Sequence, residues 1–158
     1  MYYSFKEEND FRHYNITVWE TDSLYHEISR CFGLTDSALN ILYLICFEND
    51  NALLSDIVRY SGLQKQTINS SLRNLEKKGL VELRPVNGKM KSVALTTTGS
   101  AFCDRTIRKL MEWENEAISA FSKKDVKIFL SLMDRYLDSM SHSLMKYRLE
   151  TFTGEKNN

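Results

Sequence analysis

The chain has 158 residues, of which 42% are hydrophobic and 27% charged, and its formal net charge at pH 7 is zero. This composition is typical of a globular protein with one domain or a compact two-part subunit. No apolar run approaches the ~20 residues of a membrane helix, and the polar N-terminus after Tyr2-Tyr3 predicts no secretory signal. Three widely spaced cysteines indicate the reducing cytosol rather than a disulfide framework, so we predict a cytoplasmic protein.

Two helices are expected before residue 50. Residues 1–9 are predicted to form a loose arm, and Gly33 ends the long amphipathic helix that follows. Apolar side chains recur through this helix at helical spacing: Phe11, Tyr14, Val18, Tyr25, Ile28 and Phe32. Thr35 is a good N-cap for the second helix, which is apolar nearly all round. Such a helix is typically buried at the centre of its lobe.

The stretch from Leu53 onward reads as a helix, a glycine turn and a second helix. Leu53 is expected to form a minimal strand, and Ser61-Gly62 to end the short first helix. The second helix runs from about Gln64 to Lys78, with an apolar face at i, i+4 and i+7. Its opposite face carries groups that bond phosphates and base edges, which favours insertion into the major groove of a duplex. These predicted DNA-binding residues are Lys65, Gln66, Thr67, Asn69, Ser70 and Arg73.

A basic β-hairpin follows this helix. Alternating apolar residues predict a strand from Val81 that Pro85 should stop, then a hairpin at Asn87-Gly88 and a returning strand. The predicted DNA-binding residues of this wing are Arg84, Lys89 and Lys91. Residues 64–91 hold seven basic and two acidic side chains, an excess of five. The succession of elements predicts a winged helix-turn-helix that binds double-stranded DNA, although the helix face alone is equally compatible with an ordinary solvated surface.

The stretch resembles the MarR family of bacterial transcription regulators. The matching segments are LSDIVRYSGL, QTINSSLRNLEKKGLVE and ALTTTG. Thr67-Ile68, Leu75–Val81 and Leu95-Thr96 with Gly99 fit the usual run of the family. Asn87 and Lys89 stand where the wing commonly carries an Asp and an Arg that brace it, and the wing is also slightly short.

Two further helices are expected after the wing. Thr97 or Thr98 should cap a long helix whose packed stripe is Phe102, Leu110, Trp113, Ala117 and Phe121. Ser122 offers a break, with Asp125 completing an acidic variant of the capping box. The last helix alternates three and four residues between apolar positions, which is typical of a coiled-coil-like seam. The seam residues are Val126, Phe129, Met133, Leu137, Met140, Leu144 and Tyr147.

The predicted fold is therefore mainly α with a small antiparallel β wing. We assign residues 1–33 to an N-terminal dimerisation helix and arm, 34–98 to the DNA-binding domain, 99–152 to C-terminal dimerisation helices and 153–158 to a disordered tail. The outer stripes exceed what one small lobe covers, which predicts a symmetric homodimer, and the resemblance implies the same. A self-contained helical bundle is the alternative. A dimer would place two recognition helices about one DNA turn apart, on a pseudo-palindromic site.

Enzymatic motifs are missing from the sequence. It has no Gly-rich phosphate loop, no GxSxG and no HExxH, so we predict that the chain is not an enzyme and needs no cofactor. A metal cluster of His26 with Asp22 and Glu27 is conceivable, but an ordinary surface histidine is commoner, and we predict no metal site.

The cysteines raise the alternative of a redox-responsive regulator. Family members that sense peroxides carry their reactive cysteine near the start of the first helix, where this sequence has none. Cys31 lies near the wrong helix end for lowering its pKa, and Cys46 is expected to be core.

The resemblance also implies a small aromatic effector, bound between the dimer helices and the DNA-binding lobe. Candidate pocket residues are Trp19, Tyr25, Tyr43 and Trp113, although aromatic residues at helical spacing are more often core. The predicted function is a homodimeric repressor that an effector releases from DNA by shifting the spacing of its two lobes. The alternatives are a winged helix that binds a protein partner without DNA, or a redox- or metal-responsive member of the same family.

Overall fold

The computed structural model describes the backbone of residues 10–154 and the side chains of residues 11–151. It is mainly helical with one three-stranded antiparallel sheet, as predicted. The chain divides into two compact units within helix α6, the first ending at Met111 and the second beginning at Glu112. The predicted N-terminal arm lies outside the described residues.

The first unit contains the winged helix-turn-helix. Its elements are α1 (Asp10–Cys31), α2 (Asp36–Phe47), β1 (Asn51–Leu53), α3 (Leu54–Tyr60), α4 (Lys65–Lys77), β2 (Val81–Asn87), β3 (Met90–Leu95), α5 (Thr97–Arg105) and the first turns of α6 (Ile107–Ser119). The hydroxyl of Thr35 accepts a hydrogen bond from the backbone N–H of Ala38 at 3.2 Å, which confirms the predicted N-cap of α2.

Helix α2 supplies the centre of the core. Three of its side chains, Ile41, Leu42 and Ile45, are fully buried, as its all-round apolar sequence predicted. Residues from the surrounding elements complete the same cluster, including Ile57, Ile68, Leu75, Val93 and Ile107. The core therefore fixes α3, α4 and the sheet against α2.

The sheet has the strand order β1-β3-β2, which confirms the minimal strand at Leu53. The prediction that Pro85 stops the second strand is wrong, because β2 continues to Asn87. The edge position of β2 makes this tolerable: a proline at an edge need not donate to the ladder. The register does become irregular between Pro85 and Asn87.

The start of α5 differs by one residue from the prediction. Thr96, rather than Thr97 or Thr98, is the N-cap, and its hydroxyl accepts a hydrogen bond from the N–H of Gly99 at 2.9 Å. The same hydroxyl donates to the carbonyl of Gly79 at 2.6 Å, which fixes the cap against the end of α4. The predicted single long helix is also interrupted at Thr106, which separates α5 from α6.

The second unit consists of the rest of α6 and the helix α7 (Lys123–Gly154). The hydroxyl of Ser122 accepts from the N–H of Asp125 at 3.1 Å and donates to its carboxylate at 2.6 Å, which confirms the predicted break. Helix α7 runs two residues into the predicted tail, and the remaining tail lies outside the described residues.

Within the described residues, no single helix has the length and apolar character needed to cross a membrane. Among the helices of residues 10–154, the pair Phe11–Cys31 and Asp36–Phe47 meets the length and composition requirement when the two are taken together across an 86° bend.

Candidate nucleic-acid interface

The recognition helix α4 is held by its apolar face and presents its polar face outward. Gly62, with φ of +67°, ends the turn after α3 in the left-handed region that favours glycine. Ile68, Leu72 and Leu75 are buried against the core. The opposite face is therefore free of the intramolecular core.

All six predicted side chains of α4 lie on that outer side. Thr67 is half-buried, and the other five are exposed: Lys65, Gln66, Asn69, Ser70 and Arg73. The hydroxyl of Ser70 donates to the carbonyl of Thr67 at 2.9 Å, so its proton is already engaged within the helix. Its oxygen can still accept a hydrogen bond, whereas Gln66 and Asn69 offer both donors and acceptors.

A polar contact that the sequence did not indicate anchors α4 to α2. The hydroxyls of Ser37 and Ser71 lie 2.8 Å apart, and Ser71 is buried. This hydrogen bond fixes the rotation of α4 about its axis, and so the direction of its outer face. Sequence reasoning missed it because the two serines are far apart in the chain.

The wing comes close to the recognition helix. A tight turn of Gly88 and Lys89 joins β2 to β3, and Gly88 has φ of +54°, so it occupies the first central position as glycine does in a type II′ turn. A cleft of about 400 Å³ lies between the wing, α4 and α3. Its lining residues are Leu54, Ser55, Val58, Lys65, Asn69, Lys89, Met90 and Lys91.

This cleft brings together four of the predicted DNA-binding residues, Lys65 and Asn69 from α4 with Lys89 and Lys91 from the wing. Three ammonium groups around one concave surface suit an anionic backbone. Helix α3 also contributes Ser55, which sequence reasoning did not select because its position after Leu54 looks like an ordinary first helical turn.

Arg84, by contrast, is engaged within the wing. Its Nε lies 2.8 Å from the Glu82 carboxylate, and a second guanidinium nitrogen contacts the same oxygen. The two residues are two positions apart on β2 and share a face, so the sequence already contained this signal. The pair reduces the net positive charge that the wing presents.

An ion pair connects the wing sheet to the following helices. The guanidinium of Arg108 donates to both carboxylate oxygens of Asp50 at 2.6 Å and to Asp104 at 2.7 Å. Asp50 lies in the left-handed region with φ of 69°, just before β1, and its carbonyl accepts from the N–H of Leu95 at 2.9 Å. The two carboxylates raise the pKa of Arg108 above its ordinary value despite partial burial.

His26 contacts a carboxylate on another helix rather than the neighbours considered from the sequence. Its Nδ1 lies 2.9 Å from Asp36 at the start of α2, and Ser29 donates to the same carboxylate. The hydrogen bonds from Ser29 and His26 lower the pKa of Asp36. Across residues 10–154, no group of three potential ligands is arranged to hold a metal ion.

The predicted aromatic pocket residues occupy different settings. Tyr25 and Tyr43 are half-buried against the core of the first unit, whereas Trp19 on α1 is 65% exposed. Trp113 belongs to the second unit and is 49% exposed. Tyr25 and Tyr43 thus have the packing role that aromatic residues at helical spacing usually have.

The winged helix-turn-helix is similar in sequence to a known family. Residues 32–89, from the end of α1 to the tip of the wing, match the model of the MarR family. This match covers 58 of the 158 residues, so the winged helix-turn-helix part of the chain is similar to the MarR family. No curated protein is significantly similar to the chain in sequence.

Several solved structures share this fold over most of the chain. NMB1585, a MarR family regulator from Neisseria meningitidis, has a TM-score of 0.76 at 17% identity and covers 87% of this chain and 98% of its own. MepR of S. aureus in complex with DNA has a TM-score of 0.64 at 21% identity, covering 85% and 99%. NadR in complex with 4-hydroxyphenylacetate has a TM-score of 0.66 at 16% identity, covering 86% and 97%.

Proposed function

We propose that this chain is a MarR-type transcription regulator, a cytoplasmic homodimeric repressor that binds a pseudo-palindromic operator and is released by a small aromatic effector. In this proposal α4 enters the major groove, and the wing contacts the phosphate backbone beside it. The residues assigned to DNA are Lys65, Gln66, Thr67, Asn69, Ser70, Arg73, Arg84, Lys89 and Lys91.

The observation that carries the proposal is the cleft between α4 and the wing. Lys65 and Asn69 line it from one side and Lys89 and Lys91 from the other. Phosphate neutralisation supplies most of the non-specific affinity for DNA, and base-edge hydrogen bonds supply specificity. Gln66 and Asn69 are the side chains suited to adenine edges because an amide can donate and accept at once.

The unpartnered apolar surface of the second unit supports the dimer. The predicted seam of α7 includes Leu137, Met140 and Leu144, each more than half exposed in the single chain. An apolar groove of about 460 Å³ lies where α6 and α7 meet, lined by Ile118, Phe121, Asp125, Val126, Ile128, Phe129 and Leu132. Burying such surfaces against a second copy is favourable by about 25 cal/mol per Å².

Effector release would act through linkage between two sites. One conformation of the dimer has its two lobes spaced for DNA, and another does not. A ligand that binds the second conformation more tightly shifts the dimer toward it and so lowers the affinity for the operator. The size of this effect is set by the ratio of the ligand's affinities for the two conformations. NadR binds 4-hydroxyphenylacetate, and this phenolic acid is a suitable first probe. Trp19 of the first unit and Trp113 of the second are each exposed, and each remains a proposed contact for the effector.

The test of DNA binding is fluorescence anisotropy with labelled duplex from upstream of the chain's own gene. A scrambled duplex of equal length and composition is the control, and both are titrated at two salt concentrations. We expect tight, sequence-dependent binding of one dimer per site that weakens steeply with salt. Equal, weak binding to both duplexes would refute this operator, and no binding at low salt would instead favour a protein-interaction winged helix.

The dimer and the effector are tested separately. Sedimentation equilibrium should give twice the chain mass, and Leu137→Lys with Leu144→Lys should give a monomer because both charges fall within the seam. Lys124→Glu, at the exposed start of α7, is the matched charge control.

The phenolic acid should raise the protein concentration at which half of the labelled operator is bound, as measured by anisotropy. If that concentration does not change at saturating phenolic acid, this class of compound is not the effector.

A further inference from the structure

One guanidinium holds three parts of the first unit together. Arg108, in the first turn of α6, donates from one terminal nitrogen to both carboxylate oxygens of Asp50 at 2.6 Å. Its other terminal nitrogen donates to the carboxylate of Asp104 at 2.7 Å and to the carbonyl of Ser100 at 3.2 Å, both in α5. These contacts connect the turn before β1 to α5 and to the start of α6. We call Arg108 with these three partners the Arg108 clamp.

Asp50 connects the Arg108 clamp to the sheet at two places. Its carbonyl accepts a hydrogen bond from the N–H of Leu95, the last residue of β3, at 2.9 Å. The residue after it, Asn51, begins β1 and pairs with Ala94 of β3. Its own N–H donates to the carbonyl of Ile45 in α2 at 2.9 Å. The position of Asp50 therefore determines where β1 begins and where β3 ends.

The wing depends on this position because β1 is short. It has three residues at the edge of the sheet, and its pairing with β3 runs from Ala94 to Ser92. So few ladder hydrogen bonds hold a strand weakly on their own, and short edge elements are where a fold opens first. Lys91 immediately precedes Ser92, and Lys89 lies in the turn just beyond. Holding β1 in place thus supports β3 directly beside the two lysines that line the cleft with α4.

The ion pair in the Arg108 clamp has the features that make such a pair effective. Fully exposed ion pairs contribute little because water and salt screen them. Here the side chains of Arg108 and Asp50 are 30% and 37% exposed, one guanidinium nitrogen contacts both carboxylate oxygens, and further hydrogen bonds fix the guanidinium. Charge-assisted hydrogen bonds of this kind are stronger than those between neutral groups.

We propose that Arg108 is a positioning residue for DNA binding: by holding Asp50 it keeps β1 and β3 in the place from which Lys89 and Lys91 reach the phosphate backbone. Arg108 acts through the sheet and does not contact DNA, because its terminal nitrogens are engaged within the Arg108 clamp. This inference rests on the proposed DNA-binding function and adds to it a residue outside α4 and the wing.

Hydrogen exchange measured by mass spectrometry tests the Arg108 clamp without DNA. Asp50→Asn removes the carboxylate charge and suits the left-handed backbone at this position, and Arg108→Gln removes the partner charge. Each should speed exchange in peptides from β1 and β3 about fivefold, since a partly exposed charge-assisted interaction is lost. Asp104→Asn is the matched control, because it makes the same charge change as Asp50→Asn and removes a contact within the helices. Its β1 and β3 peptides should exchange at the parent rate.

Anisotropy at low salt, with labelled duplex from upstream of the chain's own gene, tests the consequence for DNA. Circular dichroism first establishes that each variant is folded at the assay temperature. Asp50→Asn and Arg108→Gln should each weaken binding about fivefold and reduce its salt dependence by up to about two phosphate contacts. The two substitutions change the net charge in opposite directions, so a loss shared by both cannot come from charge alone. Asp104→Asn should bind like the parent.

The wing lysines supply the decisive background. In a chain that carries Lys89→Ala and Lys91→Ala, the substitutions at Asp50 and Arg108 should cause no further loss, because the side chains that they position are gone. A general loss of structure would instead lower the affinity equally in both backgrounds.

The results separate this inference from the proposed function. Unchanged exchange in Asp50→Asn and Arg108→Gln, or equal losses of affinity with and without the wing lysines, would overturn the positioning role alone. Tighter binding by Asp50→Asn would overturn it as well, since the affinity would then follow net charge. If the parent chain binds no duplex at low salt, the proposed function fails and this inference fails with it, a result obtained from the parent before any variant is compared.

Discussion

A Cβ atom on Gly99 would lie 1.8 Å from the carbonyl oxygen of Leu80. The start of α5 thus packs directly on the backbone that leads from α4 into β2. The N–H of Thr96 donates to the same carbonyl at 3.1 Å, and its hydroxyl bonds Gly79. Two of the segments that resemble the MarR family, one before the wing and one after it, therefore pack directly against each other. We call this contact the joint between α4 and α5.

Replacing Gly99 with alanine should break this joint. The added Cβ would clash with a backbone atom, so the clash is removed only if α5 or the strand moves. Overpacking of this kind should lower the free energy of unfolding by about 2 kcal/mol or more. Urea denaturation monitored by circular dichroism measures the loss. Ala101→Ser, at an exposed position of the same helix, should cost only a few tenths of a kcal/mol, and equal stability of the two variants would contradict the packing argument.

The sequence predicted what depends on local pattern. The buried face of α4, the Ser122 cap and the hairpin, whose turn lies one residue after the predicted Asn87-Gly88, follow from spacing and side-chain chemistry within one element. It did not predict the interruption at Thr106, where no glycine or proline marks a break. That break lies between buried Cys103 and Ile107, next to Arg108, whose partner Asp50 is far away in the chain.

In the candidate site, too, the sequence predicted the features that depend on local pattern and not those that depend on packing between elements. The exposed side chains of α4 were identified correctly because amphipathic periodicity separates the two faces of a helix. Their approach to the wing lysines and to Ser55 depends on how three elements pack, which periodicity does not encode. The Ser37–Ser71 hydrogen bond likewise joins residues on different helices.

Asp36 should make stability depend on pH in the acid range. Its pKa is lowered in the folded chain by hydrogen bonds from Ser29 and His26, so ionised Asp36 stabilises the fold above the unfolded pKa of about 3.9 and loses this contribution as pH falls through the lower folded pKa. Asp36→Asn should be less stable than the parent near pH 6, and the gap should narrow below about pH 4. Urea denaturation across this pH range measures the gap, and Ser23→Ala, which changes no titratable group on the exposed side of α1, is the control.

Glu82 should weaken DNA binding by pairing with Arg84. Glu82→Gln removes a negative charge and frees the guanidinium of Arg84. The affinity for DNA at low salt should therefore rise about twofold to fivefold. The dependence of that affinity on salt concentration should become steeper by an amount that corresponds to at most about one phosphate contact. Anisotropy titrations at several salt concentrations measure both quantities. In an Arg84→Ala background the same substitution should gain clearly less; an equal gain would mean that Arg84 does not reach the DNA.

Arg73 and Asn69 should differ in what their loss does to DNA binding. Arg73 is an exposed cation on α4, so Arg73→Ala should weaken binding to operator and scrambled duplex alike, by about tenfold, and reduce the salt dependence. Asn69 lies beside the wing lysines in the cleft, and an amide that reads a base edge contributes about 1–3 kcal/mol of discrimination. Asn69→Ala should therefore weaken operator binding more than scrambled-duplex binding and relax specificity at particular base pairs. Lys124→Ala in α7 serves as the charge control, and equal losses on both duplexes for Arg73→Ala and Asn69→Ala would refute the assignment of Asn69 to base readout.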